Sequence, residues 1–191
     1  MRFLFDRMLY QISAFLLEVI AGLLGSACLL RLYMQHQRIP FGNPIGSLVF
    51  ALTDWLVLPL RKVLRPVARW DLASLVGAFL LKLAQYFLLW LVTGGALVVV
   101  PVMALFGVIG LVIYGLTGLL IVYAVMSWVQ TQSPLYDVLS RLLAPPLRPL
   151  RRMVPLVGGM DLTPLILLVL LQVASIVLQH ALRGVLGGMS F

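Results

Sequence analysis

Apolar stretches alternate with short proline-bearing segments along the chain, and four of them reach the ~20 residues that a spanning helix needs. They fall at residues 10–34, 71–92, 103–129 and 161–182. Between the second and third, Thr93-Gly94-Gly95 and then Pro101 interrupt an otherwise continuous apolar tract, so a short uncharged turn closes a hairpin there. The other two connections have a different pattern. After Pro134, Leu135, Val138, Leu139, Leu142 and Leu143 recur at helical spacing, with Asp137, Ser140 and Arg141 opposite. In the earlier connection Ile45, Leu48, Val49, Leu52 and Leu56 form a similar stripe, and Ser47, Thr53 and Asp54 supply a narrower polar face. Both read as amphipathic helices too short to span, lying in the headgroup region with the apolar face down. Packing of that face on the spanning helices is the alternative. The prolines of Ala144-Pro145-Pro146-Leu147-Arg148-Pro149 remove backbone donors and are expected to end the second of these helices in a rigid elbow; a polyproline ligand is the weaker reading.

A gapless shift of 90 residues lays 43–92 on 133–182. Pro44 then meets Pro134, Pro59 meets Pro149, Leu60-Arg61 meets Leu150-Arg151, and Asp71-Leu72 meets Asp161-Leu162. Leucines alone would match by composition, but prolines, arginine and aspartate at one constant offset point to a tandem duplication. The expected domains are a first unit over 1–100, with its amphipathic segment at 43–69, and a second over 101–191, with its segment at 133–160. Each unit holds two spans, so both copies insert in the same orientation, as parallel repeats.

Composition agrees with this architecture. Of the 191 residues 62% are hydrophobic and 10% charged, against roughly 45–50% and about 25% in a soluble domain, which excludes a soluble globular protein. The formal net charge is +8, and the bilayer rather than nucleic acid is the expected anion. Arg61, Lys62, Arg65 and Arg69 lie in one basic segment and Arg141, Arg148, Arg151 and Arg152 in the other, while the hairpin has none. By the positive-inside rule these segments face the cytoplasm and both termini lie outside, in a multi-pass inner-membrane protein. Arg61, Lys62, Arg65, Arg148, Arg151 and Arg152 are the candidate contacts to anionic phospholipid or to a protein partner. Arg2 and Arg7 precede an apolar run, as in a signal peptide, but Glu18 interrupts that run and Gly25 departs from the lipoprotein cleavage pattern before Cys28, so retention is expected.

Ser127-Trp128, Ser133-Pro134, the run Pro146-Leu147-Arg148-Pro149-Leu150-Arg151-Arg152 with Pro155, and Gly158-Gly159-Met160-Asp161-Leu162-Thr163-Pro164 together resemble the signature of the YggT family of bacterial membrane proteins, related to the YlmG proteins of cyanobacteria and plastids. The first unit resembles a diverged copy, keeping Asn43-Pro44, Pro59-Leu60-Arg61-Lys62 and Asp71-Leu72 but carrying His36 where the tryptophan would fall. The resemblance implies a four-span inner-membrane protein linked to tolerance of osmotic and salt stress and to assembly of membrane cytochrome complexes. It implies no catalytic residue.

The residues themselves point the same way. One cysteine, Cys28, and two histidines, His36 and His180, leave no metal-ligand cluster, and no nucleophile-elbow, phosphate-loop or zinc-protease pattern occurs. No catalytic, cofactor or metal site is expected, and haem ligation by the two histidines is the weak alternative. Asp71 and Asp161 stand where an N-cap would open the following helix; capping is preferred over pairing with the nearby arginines.

Glu18 and Lys82 are charges inside spans, which default to a functional reading. Glu18 is 13 residues before Arg31 and Lys82 is 11 after Asp71, so they sit roughly 20 Å and 16 Å from the cytoplasmic ends and an ion pair is allowed. Snorkelling or hydration of Glu18 is the alternative. The second unit has Gln172 in place of Lys82, and Gln172, Ser175 and Gln179 share a face suited to interhelical hydrogen bonding. The expected all-α membrane protein, four spans in two hairpin units, acts as a non-enzymatic scaffold or assembly factor. An oligomeric ion channel or transporter is the alternative, and a membrane-protein partner or a second copy of the chain completes the expected contacts.

Overall fold

The computed structural model describes residues 2–64, 70–128, 133–152 and 161–189, without the side chains of 2–6, 128, 188 and 189. These residues form six helices: α1 (Arg2–His36), α2 (Pro44–Val63), α3 (Leu72–Thr93), α4 (Val99–Trp128), α5 (Pro134–Arg151) and α6 (Thr163–Met189). The four long helices contain the four expected apolar stretches to within a few residues. Apolar side chains on their outer faces, such as Phe15, Val92, Leu105 and Val169, remain exposed, as suits helices surrounded by lipid.

Three expectations about the connecting helices need correction. First, α2 is not too short to span: its 20 residues are long and apolar enough to cross a membrane, as are those of α1, α3, α4 and α6, which makes five candidates among the described residues rather than four. Second, α2 buries Gly46, Val49, Thr53 and Val57 while leaving Leu48 exposed, so its inner face is rotated from the purely apolar stripe. The reason is Arg31 of α1, whose guanidinium donates to the buried Thr53 hydroxyl and to the partly exposed Asp54 carboxylate beside it.

Third, α5 is not ended by its prolines but runs through Pro145, Pro146 and Pro149. A proline inside a helix leaves the carbonyl four residues earlier without its donor. For Pro146 that carbonyl belongs to Leu142, and it accepts instead from the Tyr33 hydroxyl at 2.8 Å and the Gln37 amide at 3.2 Å, both on α1 or directly after it. The defect in one helix thus becomes the point at which another docks. The apolar stripe of α5 faces protein: Leu139, Leu143 and Leu147 pack with Leu120 and Tyr123 of α4, and Val138 and Leu142 pack with Met34 and Ile39.

α2 crosses α1 rather than running back along it. Ile45 packs near Met34, Asp54 meets Arg31, and Arg61 meets Gln35, so α2 meets α1 along that helix's C-terminal turns, while its Leu56 and Leu60 also lie beside Gly77 of α3. α5 likewise touches the C-terminal part of α4 and the start of α6. Both connecting helices therefore gather at one end of the bundle. At the other end Gly94 and Gly95 take φ of 72° and 103°, values that cost glycine little, and the Trp90 indole donates to the Gly95 carbonyl at 3.0 Å.

Candidate functional site

Each connecting helix starts the same way. Pro44 and Pro134 occupy the first turn, and the side chains of Asn43 and Ser133 accept from the backbone N–H of Gly46 and Tyr136 at 2.9 Å and 3.2 Å. Each also ends the same way: Arg61 pairs with Asp71, and Arg151 pairs with Asp161 at 3.0 Å, an arginine reaching a carboxylate ten residues on. These clasps tie the C-terminal ends of α2 and α5 to the starts of α3 and α6.

Asp71 departs from the capping expectation, and Asp161 follows it in part. Asp71 occupies the N-cap position of α3 but makes no side-chain bond to the helix backbone; Arg61 and the Ser74 hydroxyl hold its fully buried carboxylate. A buried carboxylate beside a guanidinium gains more from that charge than from a neutral N–H. Asp161 does both, accepting from the Thr163 N–H at 2.9 Å and from Arg151. Burial works to raise each carboxyl, and the hydrogen bonds and charge of its partners outweigh burial and hold both below the ordinary aspartate value.

The same geometry sorts the basic candidates. Arg61 is shared between Asp71 and Gln35, and Arg151 between Asp161 and the Tyr123 hydroxyl, so these two act inside the protein. Lys62, Arg148 and Arg152 remain exposed. Arg65, Gly158, Gly159 and Pro155 lie outside the described residues. Alongside the clasps stands Arg31, with its side chain 2% exposed and paired to Asp54 at 2.7 Å under the Phe50 ring. Sequence reasoning used Arg31 as the end of a span and missed its pairing, since nothing local links it to a carboxylate 23 residues on.

Within the bundle the structure brings Glu18 and Lys82 together. Lys82 Nζ donates to Glu18 Oε1 at 3.0 Å and to Gln85 Oε1 at 2.9 Å, while the Gln85 amide donates to Glu18 Oε2. The three side chains close a ring of hydrogen bonds. Lys82 is 3% exposed, and its methylenes lie against α4 where Gly107 leaves no Cβ to obstruct them. Glu18 is 56% exposed on the outer side of α1, so its carboxylate faces both inward and outward. Gln85, three residues from Lys82 and hence on the same helix face, went unnoticed; that spacing was the available signal.

The remaining candidates separate. Ser175 is buried and meets the Tyr114 hydroxyl at 3.3 Å, whereas Gln172 and Gln179 face outward. His36 stacks on Trp70 at the end of α1, and His180 bonds the Ile176 carbonyl of its own helix. His180 lies 17 residues into α6, roughly 25 Å along that helix from its start, so the two imidazoles do not face each other. Among the described residues no group of three metal-ligating side chains occurs.

The family model described as CCB3/YggT matches the chain twice, over residues 10–92 and 102–182. The chain is 36% identical over 173 residues to the uncharacterized protein YggT of Escherichia coli (strain K12), covering 89% of this chain and 90% of that one. An uncharacterized protein in the proC 3'region of Vibrio alginolyticus is 31% identical over 167 residues, covering 85% and 90% of the two chains. An uncharacterized protein of Haemophilus influenzae is 26% identical over 178 residues, covering 93% and 94%. No solved structure matches.

Proposed function

Because the chain belongs to the CCB3/YggT family, with helices long and apolar enough to make it a multi-pass membrane protein, we propose that it is a non-enzymatic inner-membrane scaffold whose two connecting helices form a basic platform for anionic phospholipid headgroups and for a membrane-protein partner. One observation carries this reading. The two Arg–Asp clasps, ten residues apart in each half and 90 residues apart in the chain, pin α2 and α5 across one end of the bundle and leave Lys62, Arg148 and Arg152 outward. Each such cation near an anionic surface contributes about 1 kcal/mol. The chain is two parallel units, 1–100 and 101–191, and the double match of one family model supports this duplication. Four helices span: α2 meets α1 at that helix's C-terminal turns and not along its length, which suits a helix lying in the interface although its length would allow it to cross. The platform is cytoplasmic, both termini are outside, and tolerance of osmotic and salt stress is the physiological outcome.

The test replaces Lys62, Arg148 and Arg152 with glutamine, leaving the clasps intact. Retention of phosphatidylglycerol by the purified protein, read by native mass spectrometry, falls several-fold, and recovery of a co-purifying membrane partner falls with it. Unchanged retention of both would refute the platform.

A channel or transporter is the second reading, favoured by the half-exposed Glu18 carboxylate beside a buried Lys82. It requires that Glu18→Gln abolish ion flux in proteoliposomes while the protein stays folded.

A further inference from the structure

α3 and α6 hold corresponding places in the two units but have different surroundings. α3 packs against α1, α2 and α4, whereas α6 packs against α4 and α5. The side of α6 that would correspond to the contact of α3 with the next unit is uncovered, and Val169, Val173 and Val177 are exposed along it. Two amides lie on the exposed surface of the same helix. Gln172 corresponds, at the 90-residue offset, to Lys82, and Gln179 follows two turns later; among the described residues neither has a hydrogen-bond partner. An amide turned toward hydrocarbon has no water to bond, so such a side chain calls for a protein partner.

The first unit shows what covers this position. Lys82 is enclosed by Glu18 of α1 on one side and by α4 at Gly107 on the other. On α6 the first neighbour is present as α4, which reaches Ser175 through Tyr114. The second would be the opening helix of a following unit. Among the described helices α1 of another molecule can take that place, and it has the matching surface: Phe15, Leu16, Val19 and Ile20 are exposed, and between them Glu18 turns half of its carboxylate outward. Each Glu18 oxygen takes one internal hydrogen bond and keeps a free lone pair. Glu18 meets Lys82 and Gln85, so it lies at the depth that Gln172 occupies on α6.

We infer that α6 docks on α1 of a second copy of this chain, with Gln172 donating to Glu18 of that copy, so that molecules join head to tail in the membrane. This rests on the reading of the chain as two parallel units. A head-to-tail contact keeps every copy in the same membrane orientation and either closes as a ring or propagates.

The test uses two tagged forms of the full chain in a Cys28→Ser background, one with Val19→Cys and one with Val173→Cys, co-expressed at low level and oxidised in native membranes. The expected product is the mixed disulfide dimer between the two tags, and a single chain with both substitutions should give a ladder or a closed ring. Gln172→Leu should lower the mixed product at least tenfold while the thermal stability of the protein is unchanged. Disulfides only between like tags, or a monomer by native mass spectrometry of nanodiscs with no mixed product, would overturn the inference. Impermeant labelling of Leu64→Cys and Met153→Cys separates the two failures. Labelling of both from one side without a mixed product defeats the head-to-tail contact alone, whereas labelling from opposite sides defeats the parallel-unit reading and the contact with it.

Discussion

Breaking the Glu18–Lys82–Gln85 ring should cost different amounts depending on which end is removed. Lys82→Met takes away the ammonium that neutralises the Glu18 carboxylate and leaves only the Gln85 amide as donor. Removing one partner of a buried ion pair costs ~3–5 kcal/mol in soluble proteins. Two factors reduce the figure here: Glu18 is 56% exposed and can move toward the headgroups, and interhelical polar contacts in membranes average only ~0.6 kcal/mol. A loss of about 2–3 kcal/mol is expected for Lys82→Met. Glu18→Gln preserves a carbonyl acceptor for Lys82 Nζ and should lose about 1–2 kcal/mol. In the double variant neither charge is stranded, and the coupling between the two changes should be about 1–2 kcal/mol, well above the ~0.3–0.5 kcal/mol within which independent sites add. Equilibrium unfolding of the purified protein in mixed micelles, titrated with SDS and followed by circular dichroism, gives all four corners of the cycle. Additive losses with coupling below about 0.5 kcal/mol would refute the view that these side chains act as one closed unit. Growth rescue under hyperosmotic stress, measured on the same variants, separates structure from transport: a folded double variant that rescues fully argues against a transport site.

Removing Asp54 should cost more than removing Arg31, because a stranded Arg31 is 2% exposed whereas a stranded Asp54 is 42% exposed and can be hydrated; about 2–3 kcal/mol against about 1 kcal/mol is expected by the same unfolding assay, and the reverse order would contradict the account. Tyr33→Phe takes one of two donors from the Leu142 carbonyl that Pro146 orphans, at about 1 kcal/mol, and Pro146→Ala in that background should recover most of the loss by restoring the helical donor. Gly46→Ala should destabilise by about 1–3 kcal/mol, since a Cβ there would come within 2.2 Å of the Phe41 carbonyl oxygen; a neutral effect would mean that the start of α2 relaxes freely. Folding lowers the Asp161 carboxyl value, so the clasp contributes fully above the unfolded value of about 3.9 and is lost as the pH falls through the lowered folded value. Acid-induced loss of stability should therefore be smaller in Asp161→Asn than in the parent protein.

Four long apolar helices, the glycine turn between two of them and a helix in each remaining connection were legible without coordinates, because a bilayer imposes a length and a composition that a local window can detect. The pairing of Arg61 and Arg151 with Asp71 and Asp161 was half legible: the residues and their constant spacing stood out, but the choice between a cap and an ion pair depended on how deeply each carboxylate was buried. The inward face of α2, the continuation of α5 through its prolines and the role of Arg31 were not legible. Each depends on a group brought from another helix: Thr53 and Asp54 lie 22 and 23 residues from Arg31, and the Tyr33 hydroxyl 109 from the Leu142 carbonyl. Hydrophobic periodicity and cap signals act over one or two turns and set where a helix begins, ends and burrows into lipid. A polar side chain in a low-dielectric interior must find a partner wherever packing places one, so only the assembled bundle decides which carboxylate, carbonyl or amide it meets.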